Sequence, residues 1–254
     1  GHYEKMVDSF VDGVLATNEE MVMHMKVAGW KAPLYNISGL AFGKDEVRSR
    51  VNQLKPFEKR TKRIAFSARW DQEKQPDFYM DLIERVKATE WGKHYEFAVF
   101  SGGPLRSNNQ KYLDRAHKME EHGLLKIYKD LKKNDYYDLV NDSKLIFNCA
   151  LQDWVSNTVS EADALGCNVL YPAYRSFPET FANGHERMYV PWSMDDAVNK
   201  LQTLMQAPHK DMGKISDWNN GTINRIIDII QGNGEKWNRA GNRYRDHVAE
   251  AKYK

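Results

Sequence analysis

Short apolar runs alternate along the chain with stretches whose apolar positions recur at helical spacing. Residues 13–17, GVLAT, read as a short strand, and Asn18 is placed to cap the helix that follows. Residues 34–42, LYNISGLAF, read as a strand running into a loop, followed by a short helix over 44–53 and a charged linker, KPFEKRTKR. A strand at 63–68 then leads to a helix opened by Pro76, in the first turn, where proline is best tolerated. Phe78, Leu82, Ile83 and Val86 line one face of that helix.

The alternation continues with strands at 94–100, 124–128, 145–149, 168–171 and 186–192. Helices are predicted at 107–122, 135–141, 157–165, 194–206 and beyond 215. Strands that alternate with helices predict an α/β fold, a doubly wound parallel sheet covered on both faces. Ligands of such folds bind at the carboxyl ends of the strands.

Composition narrows the picture. With 254 residues, 41% hydrophobic and 28% charged, the chain can bury a sizeable core. A net charge of +2 does not by itself imply nucleic acid or a membrane surface. No apolar run reaches the ~20 residues of a membrane span. Cys149 closes one predicted strand and Cys167 opens the next. In parallel neighbours their sulfurs lie at opposite ends, so both are expected reduced and buried, as suits a cytoplasmic protein. The histidines show no ligand spacing, so no metal site is expected. Gly1-His2 reads as a cloning remnant, and the chain as a piece of something longer.

Four features fall at predicted strand ends. In QDWVSNTVSEADALG, residues 152–166, Asp153 stands eight positions before Glu161, with Ser156, Asn157 and Thr158 between them at a helix start. A helix N-terminus offers free N–H groups and partial positive charge to a phosphate. A carboxylate on either side can accept hydrogen bonds from sugar hydroxyls. Taken alone, the plainer reading of a loop acid and a surface helix acid wins. Arg69 and Lys74 follow the 63–68 strand, and a guanidinium fork with an ammonium suits a diphosphate, although both also fit solvated loop charges. Gly102-Gly103-Pro104 lets backbone approach a ligand, or simply turns. Glu179, after the 168–171 strand, either covers a ligand or caps the next helix, and capping is slightly favoured.

In this order, the features resemble the C-terminal, donor-binding half of GT-B-fold retaining glycosyltransferases, the glycogen-synthase-like and sucrose-synthase-like group. Arg69 and Lys74 match its Arg-x4-Lys, Gly102-Gly103-Pro104 approximates its glycine turn, and Asp153-x7-Glu161 before Ala162-Asp163-Ala164-Leu165-Gly166 matches its Glu-x7-Glu segment. The resemblance covers roughly residues 62–206. It implies a Rossmann-like donor domain over 59–210, the end of an acceptor-side domain over 1–58, and C-terminal helices over 211–254 that pack across the domain interface, with Trp237, Tyr244 and Val248 expected to lack their natural partner surface in this chain.

The resemblance further implies that Arg69 and Lys74 clamp the donor diphosphate and that Glu161 holds the ribose. Asp153 touches the transferred sugar, N–H groups near Ser156, Asn157 and Thr158 bind phosphate, and no metal or other cofactor is required. The partners implied are a nucleotide sugar, an unknown acceptor (glycan, small molecule or nucleic acid), and the missing N-terminal domain or a partner chain. Two departures bear on the sugar. Asp153 is one methylene shorter than the family's Glu, and Trp154-Val155-Ser156-Asn157 replaces a glycine-rich stretch. Two alternatives remain: a UDP-sugar epimerase of the same fold, and a nucleotide-sugar-binding module without turnover. The basic run from Lys55 to Arg63 is compatible with a nucleic-acid acceptor but reads first as a solvated linker.

Overall fold

The computed structural model describes residues 6–37, 43–151, 153, 155–181, 184–211, 215–234 and 236, with backbone alone over 215–220. Trp154, Trp237, Tyr244, Val248 and the 38–42 stretch lie outside the described residues.

The N-terminal segment is a small parallel unit. β1 (Val14–Ala16) pairs with β2 (Leu34–Asn36), and α1 (Glu19–Val27) connects them. Asn18 caps α1 as its sequence position predicts, its side chain accepting from Met21 N at 2.8 Å. A short helix, α2 (Lys44–Arg48), follows and stops well before residue 53.

From β3 (Thr61–Phe66) onward, strand and helix alternate: α3 (Pro76–Lys87), β4 (Glu96–Phe100), α4 (Gln110–Glu121), β5 (Lys126–Tyr128), α5 (Lys133–Asp142) and β6 (Ser143–Phe147). Then come α6 (Asn157–Ala164), β7 (Asn168–Pro172), α7 (Phe177–Thr180), β8 (Met188–Tyr189), α8 (Met194–Gln206) and α9 (Ile215–Ile230). The expected strand at 186–192 shrinks to Met188–Tyr189, because His185–Arg187 forms a 3-10 turn instead.

The six strands pair in parallel in the order β5-β4-β3-β6-β7-β8. Side chains alternate across a strand, and the two buried clusters divide accordingly. Ile64, Phe66, Phe97, Val99, Leu145 and Phe147 join α3, α4 and α8 on one face. Ala65, Ala98, Phe100, Ile146 and Val169 join α5 and α6 on the other. This is the doubly wound α/β architecture. On α3, Tyr79 and Met80 are fully buried beside Leu82, Ile83 and Val86, whereas Phe78 is only partly covered. The Tyr79 hydroxyl finds backbone acceptors at Ile64 O (2.8 Å) and Ala98 O (3.0 Å), which is how a phenol is tolerated under the sheet.

Both cysteines are free and buried, and burial pushes the Cys167 thiol up to about 12. Among the described residues no helix is long and apolar enough to cross a membrane, and no His/Cys/Asp/Glu group has metal-binding geometry.

Chain order reverses between β3 and β6: β4 and β5 extend the sheet on one side, β7 and β8 on the other. A reversal of this kind opens a crevice at the carboxyl ends of the two central strands.

Candidate active site at the switch point

Four non-glycine residues have left-handed backbone among the described ones: Gln75 (φ 49°), Asp130 (φ 55°), Arg175 (φ 50°) and Trp192 (φ 60°). They follow β3, β5, β7 and β8, so all four lie on the carboxyl rim of the sheet. Such conformations cost of order 1 kcal/mol each and cluster where loops are shaped for a task.

A cleft of about 430 Å³ opens on this rim, lined in part by Ser67, Gly102, Tyr136, Asn157, Thr158 and Glu161. Four sequence-predicted residues therefore meet here: Gly102, Asn157, Thr158 and Glu161. A Cβ on Gly102 would meet only Leu131 O, at an ordinary 3.7 Å, and one on Gly103 would meet nothing within 4 Å. Protein packing requires neither glycine, so the space beside them is open.

Ser156 occupies the N-cap position of α6 but makes no capping bond with its side chain. Its hydroxyl instead accepts from Asn148 Nδ2 at 3.2 Å, which braces the loop beyond β6. The first helical bond runs from Ser160 N to Ser156 O, so the N–H groups of Asn157, Thr158 and Val159 have no acceptor inside the helix. Thr158 Oγ1 donates to Ser67 O at 3.0 Å and pins this N-terminus against the end of β3.

One turn in, Glu161 is 3% exposed. Its Oε1 accepts from Lys133 Nζ at 2.6 Å and from the Tyr137 hydroxyl at 3.1 Å, both on α5. The Lys133 ammonium also lies over the rings of Tyr136 and Tyr137, 5.0 and 4.6 Å from their centroids. Burial, and then the Glu161 charge, push the Tyr137 phenol well above its usual range. Tyr137 is thus a fixed donor to Glu161.

The other flank is built differently. Lys74 Nζ sits 3.3 Å from Asp153 Oδ1, and both side chains are largely covered. The two loops are tied by Leu151 N–H donating to Glu73 O at 2.8 Å. Ser176 Oγ donates to Asp153 O and fastens a third loop, the one after β7. Arg69, 69% exposed, pairs with Asp71 at 2.8 Å and with Glu73, and it is not among the cleft-lining residues.

Glu179 caps a helix, though not the next one. Its oxygens accept from Glu19 N–H at 3.0 and 2.8 Å, at the start of α1, and from Asn36 Nδ2 at 2.9 Å. Burial raises its pKa. Arg175 reaches Glu20 at 3.4 Å alongside. The loop after β7 therefore holds Asp153 on one side and the N-terminal segment on the other.

Lys133, Tyr136, Tyr137 and Ser67 were not anticipated from sequence. The available signal was the aromatic pair near the start of α5, in KNDYYD, whose neighbours are otherwise polar.

A doubly wound parallel sheet with its cleft at the switch point defines the class: the chain has the GT-B glycosyltransferase fold, and its sheet is the one expected of the C-terminal half. Within that class it is similar to a trehalose-6-phosphate synthase, OtsA, with a TM-score of 0.66 and 12% identity over 87% of this chain and 60% of that one. It is similar also to the UDP-forming trehalose-phosphate synthase of Burkholderia xenovorans in complex with glucose-6-phosphate (TM-score 0.67, 12% identity, 90% of this chain, 62% of that one). A third likeness is to the sucrose-phosphate synthase of Thermosynechococcus elongatus (TM-score 0.62, 13% identity, 97% and 62%). The chain thus spans about 60% of the length of these enzymes. No protein-family model and no curated protein matches it.

Proposed function

We propose that this chain supplies the nucleotide-sugar donor site of a metal-independent retaining glycosyltransferase. In this reading residues 59–210 are the donor domain, 1–58 the end of an acceptor-side domain, and 211–254 the helices that return across the interface. The observation that carries it is the pairing, in one cleft, of the free N–H groups of α6 with Glu161 one turn further on. The α6 N-terminus takes a phosphate, and Glu161 takes ribose hydroxyls. Lys74 then neutralises the diphosphate, with Arg69 assisting after its loop rearranges, and Asp153, released from Lys74, faces the transferred sugar. Once redirected to the ligand, the two cations stabilise the charge that grows on the leaving diphosphate. Gly102 and Gly103 leave room for the nucleoside. The similar structures include a Staphylococcus aureus TarM described in complex with UDP (TM-score 0.59, 13% identity, 88% of this chain, 43% of that one), which supports a nucleoside diphosphate as the ligand class. A cytoplasmic setting agrees with the two free thiols.

Calorimetric titration with UDP, GDP and ADP tests the reading. Binding of at least one in the micromolar to millimolar range is expected; failure of all three at millimolar concentration, with the protein folded, refutes it. A second reading is a module that binds a nucleotide sugar without turnover. One observation favours it: Arg69 is held by Asp71 and Glu73, away from the cleft lining. Slow hydrolysis of a bound UDP-sugar would exclude that reading.

A further inference from the structure

Among the tryptophans with described side chains, Trp192 is exposed, at 56%, whereas Trp70 lies in the core. A single exposed aromatic needs no explanation. A bulky residue held at φ 60° does, because such a conformation persists only where its surroundings impose it. Three contacts do so. In the turn after β8, Ser193 N–H donates to Val190 O at 3.0 Å, and Val190 N–H to Asp196 Oδ2 at 2.6 Å. With its carboxamide oxygen toward the indole, Gln75 accepts from Trp192 Nε1 at 3.0 Å and donates to Cys149 O at 3.0 Å. The Tyr174 ring stands edge-on to the indole, with centroids 5.2 Å apart. Both side-chain partners flank the Lys74–Asp153 pair: Gln75 directly follows Lys74, and Ser176, two residues beyond Tyr174, donates to Asp153 O.

We propose that Trp192, flanked by Tyr174, is a platform on which a hexopyranose ring stacks beside Asp153. An indole held by its N–H edge offers an apolar face to the C–H groups of such a ring. The neighbouring carboxylate accepts hydrogen bonds from the ring's hydroxyls once Lys74 turns to phosphate. A bare diphosphate has nothing to place on the indole, so the platform adds affinity for sugar-bearing ligands alone. The nucleoside is kept apart from it: Gly102, which lines the cleft, follows β4, whereas Trp192 follows β8 at the far edge of the sheet. This inference deepens the donor-site reading given above and rests on it. The ring belongs either to the donor, as the sugar being transferred, or to the acceptor.

Calorimetry on the whole chain tests the platform and separates the two sources of the ring. UDP, GDP and ADP are compared with UDP-glucose, GDP-glucose and ADP-glucose. Maltose and glucose-6-phosphate are then titrated into protein saturated with whichever diphosphate binds. The variants are Trp192→Gly, which adopts φ 60° without strain, and Trp192→Phe, which keeps a ring. Trp192→Asn, tolerant of the same backbone, takes the place of the glycine variant if that one does not fold. Trp192→Gly should weaken a sugar-bearing ligand about 10-fold and leave the bare diphosphate unchanged. Trp192→Phe should lose roughly 3-fold at most. A loss confined to sugar nucleotides puts the transferred sugar on the platform; a loss confined to the free sugars puts the acceptor there. No sugar-dependent binding in wild type, or unchanged sugar affinity in Trp192→Gly, overturns the inference. So does equal weakening of bare diphosphates, the result expected of a nucleobase on the indole. If no diphosphate binds folded wild-type protein, the donor-site reading itself fails and takes this inference with it.

Discussion

The two flanks of α6 handle charge in opposite ways. On the flank proposed for the ribose, Glu161 is almost fully buried, and a buried phenol and an ammonium from one helix hold it in place. On the flank proposed for the diphosphate, Lys74 and Asp153 pair with each other, and Arg69 stands exposed among its own loop acids. The first flank is preorganised and loses little freedom on binding; the second must exchange partners, and part of its interaction energy goes into that exchange. In the proposed donor site, the difference would put anchoring on the side of the ribose and conformational response on the side of the diphosphate.

The sharpest way to break this comparison is Glu161→Ala. It should lower nucleoside-diphosphate affinity about 100-fold, since it removes a buried acceptor and leaves Tyr137 unmet. Inorganic pyrophosphate, which carries no ribose, should bind as before. Equal losses for both ligands in calorimetry would mean that Glu161 holds the loop rather than the sugar.

Lys74→Ala should act next in size and in the opposite pattern. A charge-assisted contact to phosphate is lost, so UDP should weaken about 10-fold while uridine is unaffected. The gain from releasing Asp153 partly offsets the loss, which is why the effect stays below that of Glu161. Salt should weaken UDP binding less in the variant than in wild type. Arg69→Ala should be milder, about 3-fold on UDP, because exposed ion pairs with Asp71 and Glu73 compete for the guanidinium. A loss as large as that of Lys74 would show that the Arg69 loop closes fully on the ligand.

The ribose flank also marks the limit of what the sequence reveals. The short apolar strands and the helical stretches between them were legible, as were the cap at Asn18, the proline in the first turn of α3, and the placing of Glu161 one turn into a helix. All are local: they follow from residues within a few positions of one another. Lys133 and Tyr137 stand 28 and 24 positions from Glu161, on a helix that reaches it only after α5 packs beside α6 on one face of the sheet. Nothing in the spacing encodes that approach. The same holds for Arg69 and Lys74, whose sequence pattern identifies two cations but not that one faces its own loop and the other an acid 79 positions away. Glu179 is the extreme case, capping a helix that begins 160 positions earlier.

That long-range cap gives the smallest prediction, one that turns on pH. Burial raises the Glu179 pKa above its usual 4.5; hydrogen bonds from Asn36 and Glu19 N–H oppose the rise, and the nearby Glu19 and Glu20 charges add to it. A carboxyl with a raised folded-state pKa binds its proton more tightly in the folded chain. Its contribution to stability is therefore fully present below about pH 4.5 and is lost as pH rises through the folded value. Glu179→Gln keeps an acceptor for Glu19 N–H but has no proton to lose. Relative to wild type, the variant should therefore gain melting temperature as pH rises above about 4.5, by roughly 2 °C for a chain of this size. Asp142, whose pKa is lowered, titrates in both proteins and cancels from the difference, whereas Glu20, which faces Glu179, gains ease of ionisation in the variant and adds to the difference in the same direction. A melting-temperature difference that falls with rising pH would mean that the ionised Glu179 carboxylate stabilises the junction more than its burial costs, and that the loop after β7 is held to the N-terminal segment by charge.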